Sequence, residues 1–212
     1  VVSFVLVVDD HPVFCAAMLM VVEAAEPGTQ VKSVADLAAA EVVVRKQGFD
    51  LILLDMALPD VQGMSGLLLL RQLQPAAPIA IVSARDDAQL VRRSAECGAR
   101  GFIPKSMPIE LMVNAVKVFL AGGQWFPEGT FATDISAEER AFAARFRQLS
   151  SAQLRILRAI ADGRMNKQIA HDLGIAETTV KSHLQAIFRK LGVANRMQAV
   201  VALNSFDLIP EA

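Results

Sequence analysis

The chain has 212 residues, 53% of them hydrophobic and 20% charged, with a formal net charge of −1. That composition excludes a disordered chain, the length suits one or two domains, and the longest apolar runs, at 51–54 and 67–70, are far too short to span a bilayer. The charge is uneven: residues 1–122 carry 10 basic and 13 acidic side chains, residues 123–148 carry 3 and 4, and residues 149–212 carry 8 and 5. The C-terminal part is therefore the basic one, where a nucleic-acid contact is to be sought.

The run Phe4–Val8 has no basic flank before it and meets Asp9 and Asp10 at once, so it reads as a buried strand and not a signal peptide. Further short apolar runs follow at Gln30–Val34, 51–54, 79–82 and 101–103. Between them lie longer stretches with helical spacing, such as Leu90, Val91 and Ala95, or Leu111, Ala115, Val118 and Phe119. Five strand–helix units in succession predict an α/β domain over 1–122, a doubly wound five-stranded parallel sheet of flavodoxin-like order 2-1-3-4-5. Gly122-Gly123 ends the fifth helix, and residues 123–148 read as a linker. Part of it is helical, because Ser136-Ala137-Glu138-Glu139 has the form of a helix start. Residues 149–212 read as a small all-α domain. Cys15 and Cys97 lie far apart outside any CxxC pattern and are expected as free thiols of a reducing cytoplasm.

In open parallel sheets ligands bind beyond the carboxyl ends of the strands. That rim carries Asp9 and Asp10 at the end of strand one, Asp55 at the end of strand three, Ser83 at the end of strand four and Lys105 after strand five. Taken singly, Asp9 suits a turn or an N-cap, Ser83 suits a cap for a helix beginning near Asp86, and Lys105 suits a solvated surface. Taken together, three carboxylates, a hydroxyl and an ammonium converge on one edge. Like charges at close range repel, and a divalent cation relieves that repulsion. An all-oxygen set of this kind suits Mg²⁺.

The runs Asp9-Asp10-His11-Pro12, Leu51-Ile52-Leu53-Leu54-Asp55 through Pro59-Asp60, Gly63, Ser83-Ala84 and Gly98 through Lys105 closely resemble the receiver domains of response regulators. The resemblance implies that Asp55 is the phosphoacceptor. It implies that Asp10 ligates Mg²⁺ directly, Asp9 through water, and the Ala57 backbone carbonyl as a further ligand. Ser83 and Lys105 would contact the phosphoryl oxygens, and Ser83 and Phe102 would form the switch pair. The donor would be a phosphohistidine on a sensor histidine kinase. His11 is expected as a loop residue beside the acidic pair. Phe102 stands where the family often has Tyr, and the chain has no Tyr at all. A phosphatase on the same kind of sheet would want a second Asp two residues after the nucleophile, and Ala57 stands there.

Further on, Leu154, Leu157, Ile160 and Ala161 form an apolar stripe, and Asp162-Gly163 stops that helix. A short helix from Asn166 to Leu173 ends at Gly174, and a longer one runs from about Ala176 to Leu191, which is the helix-turn-helix plan. On the second helix Val180, Leu184, Ile187, Phe188 and Leu191 make the core side. Lys181, Ser182, Gln185, Arg189 and Lys190 lie off it, with no acid after Glu177, as a phosphate-facing surface requires. Residues 149–207 resemble the LuxR-type DNA-binding domain, on runs including Leu149-Ser150, Asn166-Lys167, Thr179-Val180-Lys181 and Asn195-Arg196. A receiver followed by this domain is the NarL/FixJ architecture. The resemblance implies base contacts from Lys181, Ser182 and Gln185, and phosphate contacts from Asn166, Lys167, Thr179, Arg189 and Arg196. Gln153 replaces a Glu that can pair with a nearby base. The function implied is a cytoplasmic transcription regulator, with no enzymatic activity beyond the receiver's own phosphorylation and dephosphorylation. It would bind double-stranded promoter DNA, as a homodimer when phosphorylated or DNA-bound.

Overall fold

The computed structural model describes residues 2–59, 63–131 and 136–207, with side chains as far as residue 203. Asp60 of the motif following Asp55 lies outside the described residues, as do linker residues 132–135 and residues 208–212. The chain divides into two compact units, Val1–Ile135 and Ser136–Ala212.

The first unit alternates β1 (Phe4–Val8), α1 (Pro12–Ala25), β2 (Gln30–Val34), α2 (Leu37–Val44), β3 (Leu51–Asp55), α3 (Ser65–Leu73), β4 (Ile79–Ser83), α4 (Ala88–Glu96), β5 (Gly101–Pro104) and α5 (Ile109–Leu120). The strands form one parallel sheet in the expected order β2-β1-β3-β4-β5. β3 and β4 are buried along their whole length, which is why they read as unbroken apolar runs. β2 lies at one edge and is largely exposed.

Strand side chains alternate between faces. Val5, Val7, Leu51, Leu53, Val82 and Ile103 pack against Met18, Val21 and Val22 of α1 and Ala115, Val116 and Phe119 of α5. The alternate residues Leu6, Val8, Ile52, Leu54, Ile81 and Phe102 are equally buried on the opposite face. β3 and β4 end on Asp55 and Ser83, as the sequence predicts, so both residues belong to the strands themselves.

The chain does not leave the sheet after α5. Trp125 bridges Gly101 in parallel: Trp125 N–H donates to the Arg100 carbonyl at 3.3 Å, and Phe102 N–H donates to the Trp125 carbonyl at 3.0 Å. Only glycine permits this approach, because a Cβ at residue 101 would lie 2.4 Å from the Trp125 carbonyl oxygen and 2.3 Å from the Phe119 ring. Phe126 and Phe131 then meet edge to face, and the Arg92 guanidinium of α4 lies 5.2 Å from the Phe131 ring centre. The first part of the expected linker is thus part of the first unit.

The second unit contains α6 (Ala137–Phe146), α7 (Ser151–Ala161), α8 (Asn166–Leu173), α9 (Glu177–Leu191) and α10 (Arg196–Asp207). α6 is the helix expected from Ser136, and Ser136 and Glu139 form a capping box. It packs on α9 with Ala143 and Phe146 fully buried, so the helical end of the expected linker belongs to this unit. Leu154, Leu157, Ile160, Ile169, Val180, Leu184, Ile187, Leu191, Ala199 and Leu203 fill the core between the helices. α8 ends at Gly174, whose φ of 64° turns the chain sharply into α9. Among the described residues no helix is long and apolar enough to cross a membrane.

Candidate functional site

The carboxyl rim of the sheet brings the predicted residues together. The Lys105 ammonium lies 2.8 Å from Asp55 Oδ2 and 2.7 Å from Asp9 Oδ2. The contact with Asp55 is a hydrogen bond. The contact with Asp9 is an ion pair, so one ammonium serves both buried carboxylates. Lys105 is held there because the chain just after β5 still bonds to β4: its own N–H donates to the Ser83 carbonyl at 2.7 Å. The Phe14 ring lies 4.7 Å from the ammonium. Burial works against the Lys105 charge, but the hydrogen bonding and charge of Asp55 and Asp9 outweigh it and raise the pKa above the ordinary lysine value.

Asp55 and Asp9 are almost completely buried, and Asp10 is more exposed. Ala57 N–H donates to Asp55 Oδ1 at 3.0 Å, which ties the loop after β3 to the same carboxylate. Asp9 Oδ1 accepts the His11 N–H at 2.9 Å, so Asp9 serves as a turn residue as well as a member of the cluster. Ligand atoms of Asp9, Asp10, His11 and Asp55 all lie within 4.8 Å of one another. Three carboxylates supply hard oxygen donors that converge on one point, so the residues fit a divalent cation. Cys15 donates its thiol to the Asp9 carbonyl at 3.3 Å, and burial, followed by the Asp9 charge, raises its pKa.

Ser83 is buried and its Oγ accepts the Arg85 N–H at 3.1 Å, a role that leaves the hydroxyl hydrogen to donate. Ser83 is not the cap of α4: that helix starts later than the sequence suggests, and Asp87 caps it by accepting the Leu90 N–H at 2.9 Å. Phe102 is wholly buried on the face of the sheet opposite to Ile103.

In the second unit α9 presents the predicted face. Val180, Leu184, Ile187 and Leu191 are buried, whereas Lys181, Ser182, Gln185 and Arg189 are exposed, as are Thr179 and Lys167. Lys181 pairs with Glu177 one turn back at 3.2 Å, and Ser182 Oγ donates to the Thr178 carbonyl at 3.1 Å. Arg196 is engaged within the unit. Its guanidinium donates to the Ile160 carbonyl at 3.4 Å, to the Arg164 carbonyl, and to Asn166 Oδ1 at 3.5 Å. It thereby joins the start of α10 to the end of α7 and the start of α8.

The family model of the response regulator receiver domain matches residues 5–117, and that of the luxR family of bacterial regulatory proteins matches residues 147–203. The chain belongs to the response regulators. Its order of domains is that of the NarL/FixJ type. The regulator is similar to the glycerol metabolism activator of Pseudomonas putida, with 40% identity over 211 residues, 96% of this chain and 96% of that protein. It is similar to the nitrate/nitrite response regulator protein NarP of Escherichia coli K12, with 32% identity over 201 residues, covering 93% and 92%. A solved LuxR family DNA-binding response regulator from Silicibacter pomeroyi shares 30% identity and a TM-score of 0.52, covering 61% of this chain and 100% of that one.

Two relationships in the regulator lie outside what the sequence indicates. His11 is the expected loop residue, but its ring turns into the acidic cluster, with Nδ1 2.9 Å from Asp10 Oδ1 and 3.1 Å from Asp9 Oδ1. The signal was Pro12, which holds the preceding residue extended; His11 has φ −96° and ψ 104°. Lys190, read as part of the outer face of α9, instead reaches inward. Its ammonium donates to Gln153 Oε1 at 2.7 Å and to the Gln148 carbonyl at 2.8 Å. The Gln153 amide thus keeps a partnership with a base without a carboxylate.

Proposed function

We propose that the regulator accepts a phosphoryl group on Asp55 from a phosphohistidine of a sensor histidine kinase, and that this controls sequence-specific binding to promoter DNA. The observation that carries the reading is the contact of Lys105 with Asp55 at 2.8 Å inside a three-carboxylate rim. Phosphoryl transfer is governed by positioning and by cancelling charge on the transferred oxygens. An Asp55 oxygen attacks phosphorus, the O–P bond forms, and the P–N bond to the donor imidazole breaks. Lys105, already beside Asp55, follows the charge onto the phosphoryl oxygens, and the Ser83 hydroxyl donates to another of them. Asp9, Asp10 and Asp55, with the Ala57 carbonyl, would hold Mg²⁺, which supplies further positive charge when bound. Ser83 and Phe102 form the pair that changes state. Activity ends with the receiver's own phosphorylation and dephosphorylation, and a regulator of this kind works in the cytoplasm.

On the DNA side, Lys181, Ser182 and Gln185 read base edges from the major groove. Asn166, Lys167, Thr179, Arg189 and Arg196 contact phosphates. Two protomers on paired half-sites give the homodimer. The test is labelling by acetyl phosphate followed by intact mass. The wild-type chain is expected to gain one phosphoryl group only with a divalent cation, and Asp55→Asn to gain none. Labelling that survives in Asp55→Asn overturns the site.

A further inference from the structure

His11 occupies the N-cap position of α1, yet its side chain makes no capping bond. The imidazole turns instead toward the acids, with Nδ1 2.9 Å from Asp10 Oδ1, 3.1 Å from Asp9 Oδ1 and 3.9 Å from Asp55 Oδ2. Neighbouring ligands around an octahedral ion with bonds of about 2.1 Å are about 3 Å apart, and Mg²⁺ has this geometry. The first two distances match that spacing. Two carboxylate oxygens and a ring nitrogen therefore lie at a spacing that shared ligation of one ion and an imidazole hydrogen bond would both give.

The nitrogen changes what the site prefers. Mg²⁺ is a hard ion that takes oxygen and keeps its waters. Imidazole suits first-row transition ions, whose affinity for mixed nitrogen and oxygen sets exceeds that of Mg²⁺. We propose that His11 is a ligand of the cation held by Asp9, Asp10 and Asp55, and that it makes the pocket favour a first-row divalent ion over Mg²⁺. The inference rests on the cation-site reading above and adds one ligand to it. A hydrogen-bonded imidazole and a ligating one hold Nδ1 in the same place. They differ in whether the Nδ1 lone pair faces a proton or a metal.

The experiment uses the full chain with Mn²⁺ and Mg²⁺. Electron spin-echo spectra of bound Mn²⁺ should carry nitrogen modulation, and ¹⁵N-histidine labelling should shift it. His11→Ala should abolish the modulation. It should lower Mn²⁺ affinity more than Mg²⁺ affinity, because a nitrogen ligand adds more to the binding of a first-row ion than to that of Mg²⁺. The labelled wild-type spectrum needs no variant and decides the ligation even if His11→Ala folds poorly. Absence of nitrogen modulation around bound Mn²⁺ overturns the inference while the cation site stands. So does an equal change in both affinities in His11→Ala, which marks His11 as a mere occupant of the pocket. Failure of both ions to bind the wild-type chain overturns the cation site and the inference together.

Discussion

The Lys105 ammonium bridges two buried carboxylates, touching Asp55 at 2.8 Å and Asp9 at 2.7 Å. Its raised pKa means that the folded state holds the proton more tightly than the unfolded chain does. The stabilisation is complete below the ordinary lysine value of 10.5 and is lost as the pH climbs through the raised folded value. Lys105→Met leaves the carboxylates without their cation. It should cost on the order of 1–3 kcal/mol at neutral pH without metal. Urea unfolding of both chains across pH should show the gap closing only above the ordinary lysine range. A gap that closes near neutrality contradicts the assignment.

DNA binding should separate base readers from phosphate contacts. Lys181→Ala should lose about 1–3 kcal/mol on a specific site and little on random sequence. Arg189→Ala should weaken both alike and lower the salt slope by about one. Fluorescence anisotropy across a salt series measures both. Equal losses on specific and random DNA for Lys181→Ala would remove it from the base-reading set.

Phe146 of α6 is fully buried in the second unit. Phe146→Ala should destabilise that unit by about 3–5 kcal/mol. A fragment beginning at Leu149 should melt well below one beginning at Ser136, because it loses Ala143 and Phe146 from the core. Circular dichroism melts of the two fragments decide this, and identical melts would show α6 to be dispensable.

Gly101 has no room for a side chain. Gly101→Ala should cost the first unit about 1–3 kcal/mol, since either the Phe119 ring or the Trp125 segment must move. Trp125→Ala should not relieve that cost, because the close contacts are with the Phe119 ring and the Trp125 backbone carbonyl, and both remain. Chemical unfolding followed by the intrinsic fluorescence of Trp125, the chain's single tryptophan, reads the effect of Gly101→Ala directly.

Much of this molecule is legible in its sequence, for identifiable reasons. β3 and β4 are buried on both faces, so their apolar runs stand out, and each ends on a polar residue that marks the rim. Right-handed crossovers then leave the strand order little freedom. α6 announces its start through Ser136 and Glu139, but not the side that packs, because Ala143 and Phe146 acquire meaning only against α9. The pairing of Lys190 with Gln153 joins residues 37 apart and depends on the geometry of two helices. His11 looks like a loop residue because Pro12 constrains its backbone without saying which way its ring turns.

The bond from the Phe102 amide to the Trp125 carbonyl makes β5 an interior strand at that one residue. Any shift of the strand at 102 must drag the chain beyond α5 with it, whereas rotation of the ring need not. The two motions would leave different records in deuterium uptake. Ring rotation alone keeps the Phe102 amide protected after phosphorylation, while sliding of the strand exposes it together with the Trp125 amide. The peptide after the fifth helix thus serves as a built-in gauge of whether the receiver signals by turning a side chain or by moving its backbone.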